Sequence, residues 1–482
     1  MKRLFVLFTL LISAVTLSAC ELDWNVNDDP GNGPNENDLD GNYNAEVFEE
    51  VLEALQDNHY QDLSDEALYE AALRGLFDAI DDPHTNYMTQ EERQQFRDDL
   101  GEEFVGVGIT IERVDEDPVV TKVWTDSPAE RAGMMPGDVI THIDGDDYSD
   151  RPYHERIESL LGEEGTTVEV GVERPGTEEI IYFTMERESI PNPTVVHDTF
   201  EVDGRTIGHL EINSFGEQTA ALSEEALDEL ENDGIDGLIV DLRDNTGGYL
   251  AAVDDILDMF LTEGEQPMFT IEQRVGGEWV SIDYDASGEE ARDYDIVTLI
   301  NGSSASASEV FAAGMKEKGG YEVFGEPSFG KGTMQQPIEL SSGSYVNVSL
   351  GRWLTPSGQW VDRIDGDIEY VEPTEIVEQN PYLYAYNVYL RDGEPLTYDT
   401  VATENENVQA ILNALGADIR EDGYFDEDTR EAVEDFQNEH DLEITGEVDE
   451  ATAAALSEVI LEYRTDLSND YQLQFAKDYF DE

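Results

Sequence analysis

Between Tyr43 and Leu100 apolar residues recur every three or four positions: Val47, Phe48, Val51, Leu52 and Leu55, then Leu68, Ala71, Ala72, Leu73, Leu76 and Phe77. Residues at that spacing share one helix face, so the region predicts amphipathic helices. Asp81-Asp82-Pro83-His84 breaks the pattern, and Thr89 ahead of Glu92 opens a further helix with a capping residue. Beyond Phe104 the period shortens. Strands are predicted at Val107–Arg113, Val119–Val123, Val139–Ile143, Thr167–Glu173 and Ile180–Met185, with helices starting at Pro128 and spanning Tyr153–Leu161. From Thr194 to Pro373 strands and helices alternate, which predicts an α/β unit. Its apolar runs Gly237–Leu242 and Ile296–Ile300 lead into helical patterns at Ala251–Leu261 and Glu309–Lys318, and strands at Ile338–Leu340 and Tyr345–Trp353 complete it. A Tyr-rich connector then precedes helical stretches at Asn405–Leu415, Asp428–His440 and around Glu450–Leu461.

The fold class is therefore multidomain α+β. Helices span 43–101, a small β-module 102–188, an α/β core 189–380, a connector 381–403, a three-helix module 404–461 and an acidic tail 462–482.

Composition changes the list of partners. The 482 residues carry 112 Asp and Glu against 26 Lys and Arg, a formal net charge of −86. A phosphate-binding groove needs a basic surface, so nucleic acid is excluded as a partner. The acid is spread over all segments, which points to adaptation to high salt, where screening removes self-repulsion.

The N-terminus has its own logic. Lys2 and Arg3 precede the apolar stretch Leu4–Leu17, too short for a comfortable membrane span, and Leu17-Ser18-Ala19-Cys20 follows. Cys20 is the single cysteine, so no intramolecular disulfide forms. The segment resembles a lipoprotein signal: 1–19 would be removed, Cys20 lipidated, and 20–42, rich in Asp, Asn, Gly and Pro, would be a flexible tether. The expected location is the outer face of the cell membrane, reached by export.

Candidate chemistry sits where Ile296–Ile300 runs into Asn301-Gly302-Ser303-Ser304-Ala305-Ser306-Ala307-Ser308-Glu309. Small residues at a strand–helix junction expose a hydroxyl beside free N–H groups. Phe329-Gly330-Lys331-Gly332-Thr333-Met334-Gln335 supplies a lysine and a glutamine, and serine with a lysine base is a known variant of serine-nucleophile chemistry. Such a lysine must lose its proton near neutral pH, which an apolar enclosure promotes. Phe329 and Met334 are suitable material, and Gln335 can orient a neutral amine without adding charge. Ala307 N–H is one candidate oxyanion donor; Gly247 or Gly248, in a strand–helix turn, is the second. His84, in a loop with no serine beside it in sequence, reads as structural. Clustered histidines and a His-Glu-x-x-His pattern are absent, so neither metal nor cofactor is implied.

Three resemblances organise these residues. Phe104-Val105-Gly106-Val107-Gly108, with the later Ser127-Pro128-Ala129…Pro136-Gly137-Asp138 run, resembles a PDZ domain. That implies a loop, residues 104–108, that holds a peptide's terminal carboxylate while the peptide adds as a strand. The Asp422–Arg430 turn and the Ala432-Val433…Phe436-Gln437 stretch resemble the peptidoglycan-binding three-helix domain, although Asp426-Glu427 stand where Gly-Pro is usual. The chain after the tether resembles the carboxyl-terminal processing, or tail-specific, proteases. That resemblance implies Ser306 as nucleophile, Lys331 as base 25 positions on, and Gln335 in support. It implies an endopeptidase acting on polypeptides with free C-termini, while the three-helix resemblance implies peptidoglycan as a further partner. The alternative is a catalytically idle scaffold that binds peptides at the cell wall. The oligomeric state stays open, a homodimer included.

Overall fold

The computed structural model describes residues 45–481, apart from 62, 81, 100–102, 115–116, 125–126, 149–150, 152, 175–176, 178–179, 289, 364–369, 389 and 391–392. The signal segment 1–19, Cys20 and the tether 20–42 lie outside the described residues. The chain divides into two compact units between Leu73 and Arg74. In the first, the helix Ala45–Asn58 buries Leu52, and its Phe48 ring lies 6.2 Å from Tyr69.

In the second unit, Thr89 and Glu92 form the expected capping pair. Thr89 Oγ1 accepts from Glu92 N at 3.1 Å, and Glu92 Oε2 accepts from Thr89 N at 2.7 Å. The helix Gln90–Asp99 follows.

The β-module is a sheet in the order Ile109–Val114, Asp117–Val123, Val139–Ile143, Thr167–Glu173, Ile181–Glu186. Glu103–Gly106 pairs separately with Glu188–Pro191, in a two-stranded antiparallel sheet. The expected strand at Val107 begins two residues later, because Gly108 turns the chain with φ 79°. A Cβ on Gly108 would overlap Ser127, whose hydroxyl caps the helix Pro128–Ala132. Apolar alternation fills the interior with Val120, Ile140, Val168, Val170 and Val172. Ile109–Val114 is an edge strand of the sheet.

The α/β core carries a six-stranded sheet: Val195–Val202, Arg205–Ile212, Gly237–Asp241, Asp295–Ile300, Glu322–Gly325 and Glu375–Ile376. Only the first pair is antiparallel. Gly237–Asp241 is buried throughout, as expected of a parallel strand covered on both faces. One cover comprises the helices Thr219–Asp233, Leu250–Asp258 and Ala307–Ala313.

The other cover corrects an expectation. Residues 462–482 are not an acidic tail. Tyr471–Tyr479 is a helix whose Leu473 and Ala476, with the following Phe480, pack on Ile207, Ile239, Val297, Leu299 and Phe324. The acids at its start serve as caps: Asp470 accepts from Leu473 N at 3.0 Å. Gly237 is bare because a Cβ there would press on the Phe480 ring.

A second sheet joins Asn86–Met88, Tyr345–Leu354, Phe269–Val275 and Glu278–Tyr284, with Thr333–Glu339 paired to Tyr345–Leu354. The expected strand at Ile338 thus starts five residues earlier and includes Thr333, Met334 and Gln335.

The three-helix module consists of Thr403–Ala414, Glu427–Glu439 and Glu450–Thr465 around Val408, Phe425, Val433, Phe436 and Leu456. Two buried amides repeat one device. Gln409 accepts from Gly423 N and donates to Thr429; Gln437 accepts from Gly446 N and donates to Thr452. The module is inserted in the core, entered after Ile376 and left before Tyr471. At that junction Gln379 bonds both Asp470 and Tyr471 N, and Asn380 Nδ2 donates to Asn469 O at 2.9 Å.

Candidate active site

The Asp295–Ile300 strand delivers the chain to a turn pinned from beneath. Ser304 Oγ donates to Leu242 O at 2.8 Å, and Ser308 Oγ donates to Asn245 O at 2.7 Å. Both serines are buried, so their hydroxyls are structural. Ser308 lies inside the helix, not at its cap; the cap position belongs to Ser306. From Ser304 through Met315 every residue is buried except Ser306, which is partly exposed.

Ser306, the N-cap of the helix Ala307–Ala313, has φ 56° and ψ −113°. That left-handed backbone is strained for a side-chain-bearing residue and persists only because its surroundings hold it. Strained strand-to-helix turns of this kind present a nucleophile. The next N–H, on Ala307, opens the helix and has no intrahelical acceptor.

Gly247 and Gly248 approach the same turn, with different duties. A Cβ on Gly247 would stand 2.9 Å from Ser306 Cβ and 3.1 Å from Ala307 N. Its N–H is already spent on Asn245 Oδ1 at 2.8 Å. Gly248, at φ 148°, passes so close to Phe215 O that a Cβ would overlap it. The Gly248 N–H has no partner among the described residues. Asn245, fully buried, ties Gly247 to its surroundings: it also donates to Ile212 O and accepts from Ala305 N.

Lys331 is half-buried. Its carbonyl accepts from Trp353 Nε1 at 2.9 Å, and the Gly332 carbonyl accepts from Trp360 Nε1 at 3.2 Å. Burial pulls the lysine below its ordinary value of 10.5, against the opposing charge of Glu309. The two loops meet at that glutamate. Glu309 accepts from Ser306 N at 2.7 Å and from Lys331 N at 2.8 Å.

Gln335 is placed differently from expectation. It donates to Thr333 Oγ1 at 2.8 Å and Ser349 Oγ at 3.2 Å, and among the described residues it makes no hydrogen bond to the Lys331 amine. A bulge between Met334 and Gln335 shifts its register. Ser349 N in turn donates to Thr85 Oγ1, which donates to Asp82. The loop carrying His84 is therefore joined to Gln335. Burial and the charge of Lys331 both lower the His84 pKa, so this histidine lies within the electrostatic reach of the site. Sequence reasoning set His84 aside and missed Asn245, Glu309 and Ser349. Phe104, Val105 and Gly106 occupy a strand paired with Glu188–Ile190, and Val107 O accepts from Ala129 N at 2.9 Å. Among the described residues no group of three or more His, Cys, Asp or Glu is set to hold a metal ion, and no helix is long and apolar enough to cross a membrane.

Family models match this chain in three places: peptidase family S41 at 206–370, a PDZ domain at 105–182 and a peptidoglycan-binding domain at 403–456. The chain is 35% identical over 430 residues to carboxy-terminal processing protease CtpB of Bacillus subtilis, spanning 89% of this chain and 87% of that protein. It is 30% identical over 476 residues to CtpA of the same organism, covering 98% of each. Among solved structures, the photosystem II D1 C-terminal processing protease matches with 27% identity and TM-score 0.44, over 69% of this chain and 86% of that one.

Proposed function

We propose, from the premise that this chain belongs to the carboxy-terminal processing proteases of peptidase family S41, that Ser306 is its nucleophile and Lys331 its general base. The observation that carries this reading is the exposure pattern: in the buried run Ser304–Met315 only Ser306 offers a hydroxyl to a substrate. Its partner lysine is desolvated, as a base working near neutral pH must be. Ser306 Oγ attacks the scissile carbonyl while Lys331 Nζ takes its proton. The tetrahedral oxyanion lies against Ala307 N–H, with Gly248 rather than Gly247 as the second donor, since Gly247 N–H is committed to Asn245. Lys331 returns the proton to the leaving amine, and water, deprotonated in its turn, resolves the acyl-enzyme. Gln335 acts from the neighbouring strand by fixing Thr333 and Ser349.

In the same reading, residues 104–108 receive the carboxylate of a substrate's free tail. The open edge of Ile109–Val114 supports this, since a peptide can add there as a further strand. Cleavage then falls near the substrate's C-terminus. Lipidation at Cys20 after export holds the enzyme on the outer face of the membrane, the three-helix module grips peptidoglycan, and the charge of −86 suits a salt-rich medium.

The test is to incubate wild type, Ser306→Ala and Lys331→Ala with casein. Cleavage by wild type alone supports the reading. Cleavage by either variant at the wild-type rate overturns the assignment of that residue, and none by any of the three favours a peptide-binding scaffold. Cys20→Ser, expressed in its own cell, should leave the membrane fraction; retention there would count against the anchor.

A further inference from the structure

Glu309 is wholly buried, with relative exposure 0%. A carboxylate this deep needs its lone pairs filled. Oε2 accepts from Ser306 N at 2.7 Å and Lys331 N at 2.8 Å. Oε1 accepts from Ser328 Oγ at 2.6 Å and Gly330 N at 2.7 Å. An acid in the first turn of a helix ordinarily serves only its own N-terminus. Here three of the four bonds cross to the loop 328–331. We propose that Glu309 is a positioning residue for the reaction: one buried carboxylate holds the nucleophile and the general base in register. This rests on the Ser306–Lys331 reading above.

The chemistry of the donor set favours an ionised group. Three partners are backbone N–H groups, and Ser328 Oγ already accepts from Val371 N, which leaves its proton for Glu309. Burial, the larger effect, pushes the carboxyl above its ordinary range, and the four hydrogen bonds offset it in part. The carboxylate has a second effect through space, favouring the ammonium form of Lys331 against desolvation. A lysine too far depressed would be too weak to take a serine proton, so this opposing charge keeps base strength matched to its task.

Replacement by glutamine removes the charge and one acceptor oxygen, so an amide NH₂ must face N–H donors. Replacement by aspartate keeps the charge but shortens the reach by one methylene. The test compares full-length wild type, Glu309→Gln and Glu309→Asp on labelled casein, reading kcat, KM and the pH profile of kcat, with thermal melts to verify folding. For Glu309→Gln, kcat should fall on the order of a hundredfold with KM within about twofold. Its acid limb should also move to lower pH, because loss of the negative charge makes the ammonium easier to deprotonate. For Glu309→Asp, kcat should fall on the order of tenfold with the limb near its wild-type position.

A wild-type kcat in Glu309→Gln overturns the proposal. So does a reduced kcat with an unmoved limb, which marks a purely structural role. If Glu309→Gln does not fold, the aspartate variant decides, and wild-type kcat there overturns it. Ser306→Ala and Lys331→Ala run alongside. Activity in either strikes the underlying reading, whereas inactivity in both with normal Glu309 variants strikes this inference alone.

Discussion

Arg243 and Asp470, 227 positions apart in sequence, form an ion pair at 2.7 Å. The same guanidinium lies 2.6 Å from Asp241, at the end of the strand that leads to Asn245 and the two glycines. The helix Tyr471–Tyr479 is thereby tied, at its N-cap residue, to the end of that strand.

Arg243→Ala should destabilise the core by about 3–5 kcal/mol, because it leaves Asp241 buried without its counter-charge. Burial pushes Asp241 upward, but Arg243 and the hydrogen bonds from His209 and Arg243 outweigh it and hold the carboxyl well below 3.8. Asp470 is lowered too: burial raises it, and Arg243 together with the hydrogen bonds from Gln379 and Leu473 N outweighs that. A depressed carboxyl stabilises the fold above its unfolded value and loses that contribution as pH falls through its folded value. The difference between wild type and Arg243→Ala should therefore be full at pH 7 and shrink below about pH 4. Urea melts at pH 7 and pH 3 check this; a constant difference would remove the ion pair as its cause.

Lys331→Arg should be as inactive as Lys331→Ala, since guanidinium does not give up its proton. Each should lose on the order of 10²–10⁴ in kcat. Wild-type kcat should rise with pH along a limb centred below the ordinary lysine value of 10.5. Pairing Lys331→Ala with Ser306→Ala should cost little more than either alone, because the two act as a unit. Initial rates across pH measure all of this.

Gly247→Ala places a methyl against Ser306 Cβ and Ala307 N. We expect kcat to drop on the order of a hundredfold, since displacements near 1 Å at a reacting centre have that effect. KM should change little because the β-module is untouched. A KM effect larger than the kcat effect would place Gly247 in substrate binding.

A substrate whose terminal carboxylate is amidated should be cut more slowly. Loss of a charged hydrogen-bond acceptor is worth about 1.5–3 kcal/mol, or roughly ten- to a hundredfold in kcat/KM. Equal cleavage of acid and amide forms would exclude residues 104–108 from carboxylate recognition. Deleting 102–188 without effect on rate or substrate choice would exclude the whole module.

Thermal midpoint and activity should both rise from dilute buffer to molar salt, because a net charge of −86 repels itself until screened. Equal melts across the series would dispose of salt adaptation.

The strand–helix alternation, the two motifs and their spacing were readable because each leaves a local signal: period, small residues, a lysine between glycines. Glu309 was not. An acid three residues into a helix is ordinary in sequence, and only its burial and the returning loop give it a second task. Leu473, Ala476 and Phe480 carry helical spacing, but the surrounding acid masked it until the sheet face they cover was known. The hairpin Phe269–Tyr284 was missed for a related reason: most of its second strand is exposed on both faces, so hydrophobic alternation is weak there. Gln335 was read as lying ahead of a strand starting at Ile338; it lies within that strand, its register moved by a bulge that no residue type announces.

The insertion of the three-helix module between Ile376 and Tyr471 has a mechanical meaning. A domain hung on one linker swivels freely, whereas this one is held by both of its connections, cross-tied through Gln379 and Asn380. Were the module to hold a surface, it would set the heading of the core as well as its position, and with it the direction that Ser306 faces.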